Sequence, residues 1–249
     1  MNNGKIYIGT SGWNYKHWSN GVFYPPGLNQ KEWLGYYSKI FNTVEINNTF
    51  YRLPSRAVFE KWRDSVPDGF RFIVKANRFI THIKRLKDPE ISVKNFLLNV
   101  GGLGEKLGPI LFQLPPSWNV NIERLENFLS YLTSQKIIPG LKTAFELRNS
   151  SWAINEIFDL LKTYNTALCF ADWPGLTIEK PVTSDFVYLR RHGPKDLYSS
   201  DYSEKKLRRD GAYISSWLKE GKNVYVYFNN DWGGYAVKNA LELLKIIKG

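Results

Sequence analysis

The feature that most limits what this chain can become is a rhythm. Eight short apolar runs alternate with longer stretches of helical period: KIYIG (5–9), TVEI (43–46), RFIVK (71–75), PILFQ (109–113), TAFEL (143–147), ALCFA (167–171), FVYLR (186–190) and VYVYF (224–228). Several are apolar on successive residues, as strands buried on both faces are. Between them, NIERLENFLSYL (121–132) puts Ile122, Leu125, Phe128, Leu129 and Leu132 on one helical face. Ile154, Ile157, Phe158 and Leu161 do the same for 155–164, and Ala236, Ala240, Leu244 and Ile247 for 234–247. Helices are also expected near 30–39, 55–64 and 89–100, with a weaker one over 203–220, where Gly211 interrupts the pattern. The segment 172–185 carries two prolines and a glycine, which predicts no full helix between the sixth and seventh strands.

Eight strands alternating with about seven helices is the pattern of a TIM-type (β/α)8 barrel, here read as a single α/β domain over 1–249. A doubly wound open sheet ranks second, because no Gly-rich dinucleotide fingerprint follows the first strand. A hydrophobic content of 43% is ample for such a core. No apolar run approaches the roughly 18 residues of a membrane span, so no membrane partner is expected. The N-terminal MNNGKIYIGT lacks a basic segment followed by an apolar one, and Cys169, the single cysteine, has no internal partner. Both observations point to the cytoplasm.

Thirty-four Lys and Arg residues against 23 Asp and Glu give a net charge of +11. Such a balance favours anionic partners, nucleic acid or phosphorylated metabolites among them, although a solvated basic surface accounts for the charge as well. The sequence carries no sign of oligomeric state.

In a barrel of this type, chemistry gathers where the strands end at their carboxyl side. Ser11 and Trp13 follow the first strand, and Glu45 closes the second, with Asn47 and Tyr51 beyond it. Lys75 closes the third strand, with His82 a little later, and Gln113 closes the fourth. Glu146, Arg148 and Trp152 mark the fifth and Asp172 the sixth; Arg190, His192 and Gly193 mark the seventh, and Asn229, Asn230 and Asp231 the eighth. The opposite ends (NNGK, IFN, VPDG, KLG, IPG) are poor in such groups. Glu45, Glu146, His192 and Asp172 are the catalytic candidates, with Asp231 beside them, since two carboxylates in unlike environments can divide acid and base roles. A structural ion pair between Glu146 and Arg148 is the competing reading. RRHG and NNDWGG supply cations and a glycine-led helix start suited to phosphate. Aromatic residues near the strand ends suit stacked bases or sugars, or form a small core under a long loop.

His17, His82 and His192 show no zinc spacing, while Glu45, Glu146 and Asp172 could offer oxygen ligands to a hard divalent ion. No Walker loop, nucleotide-cofactor motif or nucleophile elbow occurs.

Seven motifs in order, IGTSGWNYKHWSNGVFYP, VEINNTFYRLP, KANRFITH, LGPILFQLPPSW, FELRNSSW, YLRRHGP and VYFNNDWGGYAVKNA, resemble the signatures of the DUF72 (YecE-like) family over about residues 5–245. The resemblance implies a TIM-type barrel and a loose kinship with sugar isomerases, but no assigned reaction. Matched position by position, it implicates Gly9, Ser11, Trp13, Glu45, Asn47, Tyr51, Lys75, His82, Gln113, Glu146, Arg148, Trp152, Arg190, His192, Gly193, Asn229 and Asn230. The family motif carries a histidine after the fifth-strand arginine, where this chain has Asn149. The leading expectation is an enzyme acting on a phosphate-containing substrate, with phosphodiester cleavage of nucleic acid as its specific form. A sugar or sugar-phosphate isomerase or hydrolase comes second, and a non-catalytic nucleic-acid binder third.

Overall fold

A computed structural model describes residues 3–249. Eight parallel strands form the wall of a nearly closed barrel: β1 (Ile6–Thr10), β2 (Thr43–Ile46), β3 (Arg71–Lys75), β4 (Leu107–Gln113), β5 (Thr143–Glu146), β6 (Ala167–Trp173), β8 (Phe186–Arg191) and β9 (Asn223–Phe228). The hydrogen-bonded order is β1-β9-β8-β6-β5-β4-β3-β2, and the short β7 (Leu176–Thr177) pairs antiparallel with the end of β6. The helices are α1 (Trp33–Ile40), α2 (Arg56–Asp64), α3 (Pro89–Val100), α4 (Ile122–Ser134), α5 (Asn155–Thr163), α6 (Glu204–Lys219) and α7 (Tyr235–Lys248). No helix lies between β6 and β8, as the prolines there require.

One expectation needs correcting. Helix α6 runs unbroken through Gly211, because the glycine serves packing. A Cβ at that position would stand 2.8 Å from Ile246 Cγ2 on α7, so its absence lets the two helices approach. The Ser203 hydroxyl caps α6 by accepting from the Lys206 amide, and Asn121 caps α4 through Arg124.

The period-two alternation of each strand sorts side chains into two layers. Val44, Ile46, Phe72, Val74, Val224 and Val226 pack outward against the helices. Tyr7, Ile73, Leu111, Ala144, Cys169, Tyr188, Tyr225 and Tyr227 fill the barrel interior. Each large side chain so buried stabilises the fold by roughly 1.5–3 kcal/mol. The aromatic plug also closes the lower barrel, which leaves the carboxyl ends as the open face.

The wall has one seam. Strands β1 and β2 share no ladder, and a side chain from α1 crosses the gap between them. The Thr10 amide donates to the Tyr37 hydroxyl oxygen at 2.9 Å, and that hydroxyl donates to the Thr43 carbonyl at 3.1 Å. Gly9 makes room for it, since a Cβ there would stand 2.3 Å from the Thr43 carbonyl oxygen. Among the described residues no helix is long and apolar enough to cross a membrane.

Candidate active site

With Val44 and Ile46 in the outer layer, Glu45 must face inward, and on β8 the same alternation turns Tyr188 and Arg190 to the interior. Arg190 and Glu45, both fully buried, meet there. The Arg190 guanidinium donates through Nε to Glu45 Oε2 at 3.0 Å and through Nη2 to Oε1 at 2.7 Å. Its third nitrogen, Nη1, donates to Glu146 Oε2 from β5. One guanidinium therefore bridges carboxylates from two strands, β2 and β5, that are not neighbours in the wall.

Both carboxylates are saturated. Glu45 also accepts from the Ser11 hydroxyl at 2.8 Å and the Tyr188 hydroxyl at 2.5 Å. Glu146 accepts from Arg148 Nε at 2.6 Å and His192 Nε2 at 3.1 Å. Burial pushes both carboxyls up, but the charge of Arg190 on Glu45, and of Arg148 and Arg190 on Glu146, outweighs it. Glu45 is held below its ordinary value and Glu146 well below it. Both are therefore held ionised and fully engaged in hydrogen bonds.

His192 is fully enclosed, with Nδ1 accepting from the Asn229 amide at 3.2 Å and Nε2 facing Glu146. Burial lowers its pKa despite the Glu146 charge, so the neutral ring with its proton on Nε2 satisfies both partners. Asp172 accepts from the His192 amide at 2.7 Å and from the Tyr202 hydroxyl, which fixes the turn after β8. Tyr202 in turn accepts from the Gly193 amide at 2.8 Å. Gly193 sits at φ +121°, where a Cβ would come within 2.5 Å of the Asp196 carbonyl oxygen, so its role is backbone geometry. His192 and Asp172 therefore stand beneath the site.

Above this layer opens a cavity of about 620 Å3, lined by Tyr15, His17, Asn47, Phe50, Tyr51, Lys75, Arg190, Tyr198, Asn229, Asp231 and Trp232, among others. Arg190 forms part of its floor. Lys75 Nζ stands 4.4 Å over the Phe50 ring and, among the described residues, has no carboxylate or hydrogen-bond partner. Burial and the nearby Arg190 charge push its pKa down to about 7. The Asn47 side-chain oxygen is buried and, among the described residues, has no hydrogen-bond partner. Asp231 accepts from the Trp18 indole at 2.8 Å, and burial raises its pKa to about 6. His17 Nε2 lies 2.8 Å from Asp231 Oδ2, but its aligned bond is to the Asp231 carbonyl oxygen at 3.0 Å. At the rim, Tyr51 and Trp232 are 74% and 71% exposed.

Other expected site residues lie elsewhere. Trp152 is wholly in the core, its indole donating to the Trp118 carbonyl, and buried Asn230 ties Ser200 to Asn239. Trp13 turns toward α2 and packs edge-on against Trp62. The Gln113 amide is taken by the Leu114 carbonyl and by His82, whose pKa burial and Lys75 lower to about 4. Arg148 stacks 3.7 Å over Trp173 beside Glu146. Asn149, in place of the expected histidine, accepts from the Ser151 amide at 3.0 Å and donates to the Pro116 carbonyl at 2.8 Å. It pins two loops together. Among the described residues no three carboxylate, imidazole or thiol groups converge to hold a metal ion, because Glu45, Glu146 and Asp172 each face different donors. His17 and Tyr188 were missed as site residues; Tyr188 shares the inward face of β8 with Arg190 by the period-two alternation, while His17 arrives from the segment after β1.

The family profile described as "Protein of unknown function DUF72" matches residues 7–249. UPF0759 protein YunF of Bacillus subtilis (strain 168) is 25% identical, over 97% of this chain and 94% of that protein. A DUF72 family protein from Thermotoga maritima superposes with a TM-score of 0.86 at 30% identity, over 98% of this chain and all (100%) of that one. One from Enterococcus faecalis gives 0.80 at 21% identity, with 100% of both chains covered, a likeness of fold. The ordered motifs, the barrel and the profile match agree: the chain belongs to the DUF72 family.

Proposed function

We propose that the chain is an enzyme acting on a phosphate-bearing substrate in the cavity at the carboxyl ends of the strands. A nucleotide unit of nucleic acid, cleaved at its phosphodiester, is the leading form. The observation that carries the reading is Lys75, an amine about half protonated near neutrality that, among the described residues, has no carboxylate partner, in a concave site beside the edge of Arg190. Arg148 and Arg190 stand with Lys75 at this mouth, where Glu45 and Glu146 are already held by the two guanidinium groups. Exposed Tyr51 and Trp232 offer stacking faces at the rim, and the net charge of +11 draws polyanions toward it.

Proton transfer falls to the groups that titrate near neutrality. Asp231 as carboxylate takes a proton from the attacking water, the P–O bond to the leaving sugar oxygen breaks, and the protonated Asp231 returns that proton to the leaving oxygen, while Lys75 in its protonated form and Arg190 oppose the charge on the phosphoryl oxygens. The unpartnered Asn47 oxygen and the Asn229 amide in the same cavity favour a second reading, a compact hydroxylated ligand such as a sugar phosphate.

Labelled single- and double-stranded DNA and RNA, mononucleotides and sugar phosphates are titrated at several salt concentrations, with cleavage followed with and without EDTA. The expected result is binding that weakens linearly in log salt and falls at least about tenfold in Lys75→Met, the loss of one charged contact. Absence of affinity for every phosphate compound, or affinity indifferent to Lys75, overturns the proposal. Affinity without turnover of any substrate would leave the non-catalytic binder.

A further inference from the structure

We infer that Lys75 is a nucleophile, whose Nζ forms an imine with the aldehyde of a phosphate-bearing open-chain sugar held in the cavity. The inference rests on the phosphate reading above and refines it by giving the substrate a carbonyl group.

Glu45 and Glu146 are the acidic groups nearest in the barrel wall, and both are taken up by Arg190, Arg148, His192, Ser11 and Tyr188. An ammonium meant as a permanent anchor would gain from one of them. Lys75 is instead left at the buried end of a strand beside guanidinium groups, and that burial and like charge outweigh the pull of the Phe50 ring on the cation and favour the uncharged amine. An uncharged primary amine is a carbonyl nucleophile, and Arg190 at the cavity floor remains to meet the phosphate.

Position supports the same reading. Lys75 ends a strand and is not carried on a loop. Its carbonyl accepts from the Thr49 hydroxyl at 2.7 Å, so the base of the side chain is fixed. Asp231 lines the same cavity, and burial keeps part of its population protonated near neutrality.

The step balances without an outside reagent. The amine lone pair forms the N–C bond while the carbonyl π electrons move to oxygen, and the nitrogen proton passes to that oxygen to give a carbinolamine. Asp231 then donates a proton to the hydroxyl, which leaves as water, and the nitrogen loses its remaining proton to the Asp231 carboxylate. The net change is amine plus aldehyde to imine plus water.

The full-length protein is incubated with glyceraldehyde 3-phosphate, unphosphorylated glyceraldehyde, or an oligonucleotide bearing one base-free sugar, then reduced with borohydride and mapped by peptide mass spectrometry. Stabilisation by glycerol 3-phosphate, which has no carbonyl, is read in parallel as a thermal shift. The expected result is one secondary-amine adduct on Lys75, formed with the phosphorylated aldehyde in preference to glyceraldehyde, suppressed by glycerol 3-phosphate and absent from folded Lys75→Arg and Lys75→Met. Which phosphorylated arm labels faster identifies the source of the aldehyde. Adducts scattered over surface lysines, or none on Lys75 while glycerol 3-phosphate still stabilises the protein, overturn the imine and leave the phosphate reading standing. Selective labelling of Lys75 that glycerol 3-phosphate does not suppress supports the nucleophile and removes the phosphate reading. Because the map is made on the wild-type chain, its outcome does not depend on the variants folding.

Discussion

Replacing Arg190 with methionine removes the one cation shared by Glu45 and Glu146 while leaving an apolar stem in the core. Arg190 makes three hydrogen bonds to the two carboxylates, all buried. Without it Glu45 retains only the hydroxyls of Ser11 and Tyr188, whereas Glu146 keeps Arg148 and His192. Breaking a buried pair in this way costs about 3–5 kcal/mol. At about 2–4 °C per kcal/mol for a chain of this size, Tm falls by roughly 6–20 °C near pH 8.

The pH dependence fixes the cause. In the wild type the folded Glu45 pKa lies below its unfolded value, so its contribution is present above that value and lost as pH falls through the folded one. In Arg190→Met the same carboxyl keeps its burial without the guanidinium, and its folded pKa rises above the unfolded one. A penalty then appears as pH rises, so the gap between variant and wild type is wider near pH 8 than near about pH 5. Adding Glu45→Gln removes the orphaned charge and recovers about 1–3 kcal/mol. Thermal and urea unfolding across that pH range measure all of these quantities. A Tm loss below about 3 °C at the upper pH, under ~1 kcal/mol on this scale, would refute the reasoning. So would a wider gap in acid, or a double variant no more stable than the single.

Lys75→Met acts with the opposite sign. Below about 7 the folded chain holds a charged, partly buried amine, and that penalty fades as pH rises toward the ordinary 10.5. The variant should gain roughly 2–5 kcal/mol near pH 6 and nothing near pH 10, read by urea midpoints. Gly9→Ala forces a methyl group to 2.3 Å from the Thr43 carbonyl oxygen, so Tm should fall by the equivalent of ~1–3 kcal/mol or the protein should fail to accumulate. Asp231→Asn should slow borohydride trapping of the aldehyde and abolish the decline in trapping rate as pH rises through about 6, leaving a rate that only climbs with deprotonation of Lys75.

Much of the barrel was legible in the sequence because strand burial and helix periodicity are local properties. The inward turn of Glu45 followed from Val44 and Ile46 alone. Gly211 misled because the helix-breaking tendency of glycine is also local, whereas its use against Ile246 is a contact between distant segments. The bridging of Glu45 to Glu146 by one arginine could not be read, since strand alternation turns Arg190 inward without saying which carboxylates of distant strands it meets. Arg191 in fact points the other way, to Asp210 on α6 at 2.7 Å. Trp152 and Asn230 were misplaced for a related reason: their positions after strands suit a site as well as a core, and only packing separates the two. The cavity itself owes much to His17 and Asp231, brought together from opposite ends of the sequence.

The seam between β1 and β2 has a bearing on how the chain is made. With no ladder to β2, β1 finds its backbone partners only on β9, in a register that sets Ile6 against Val224. On a ribosome the first strand to emerge thus waits for the last one before its amides are matched. Until then the growing sheet exposes two free edges, the state in which strands recruit wrong neighbours. Tyr37 emerges soon after β1 and can tether Thr10 to Thr43 early, holding that first strand near its final place before its mate has been synthesised.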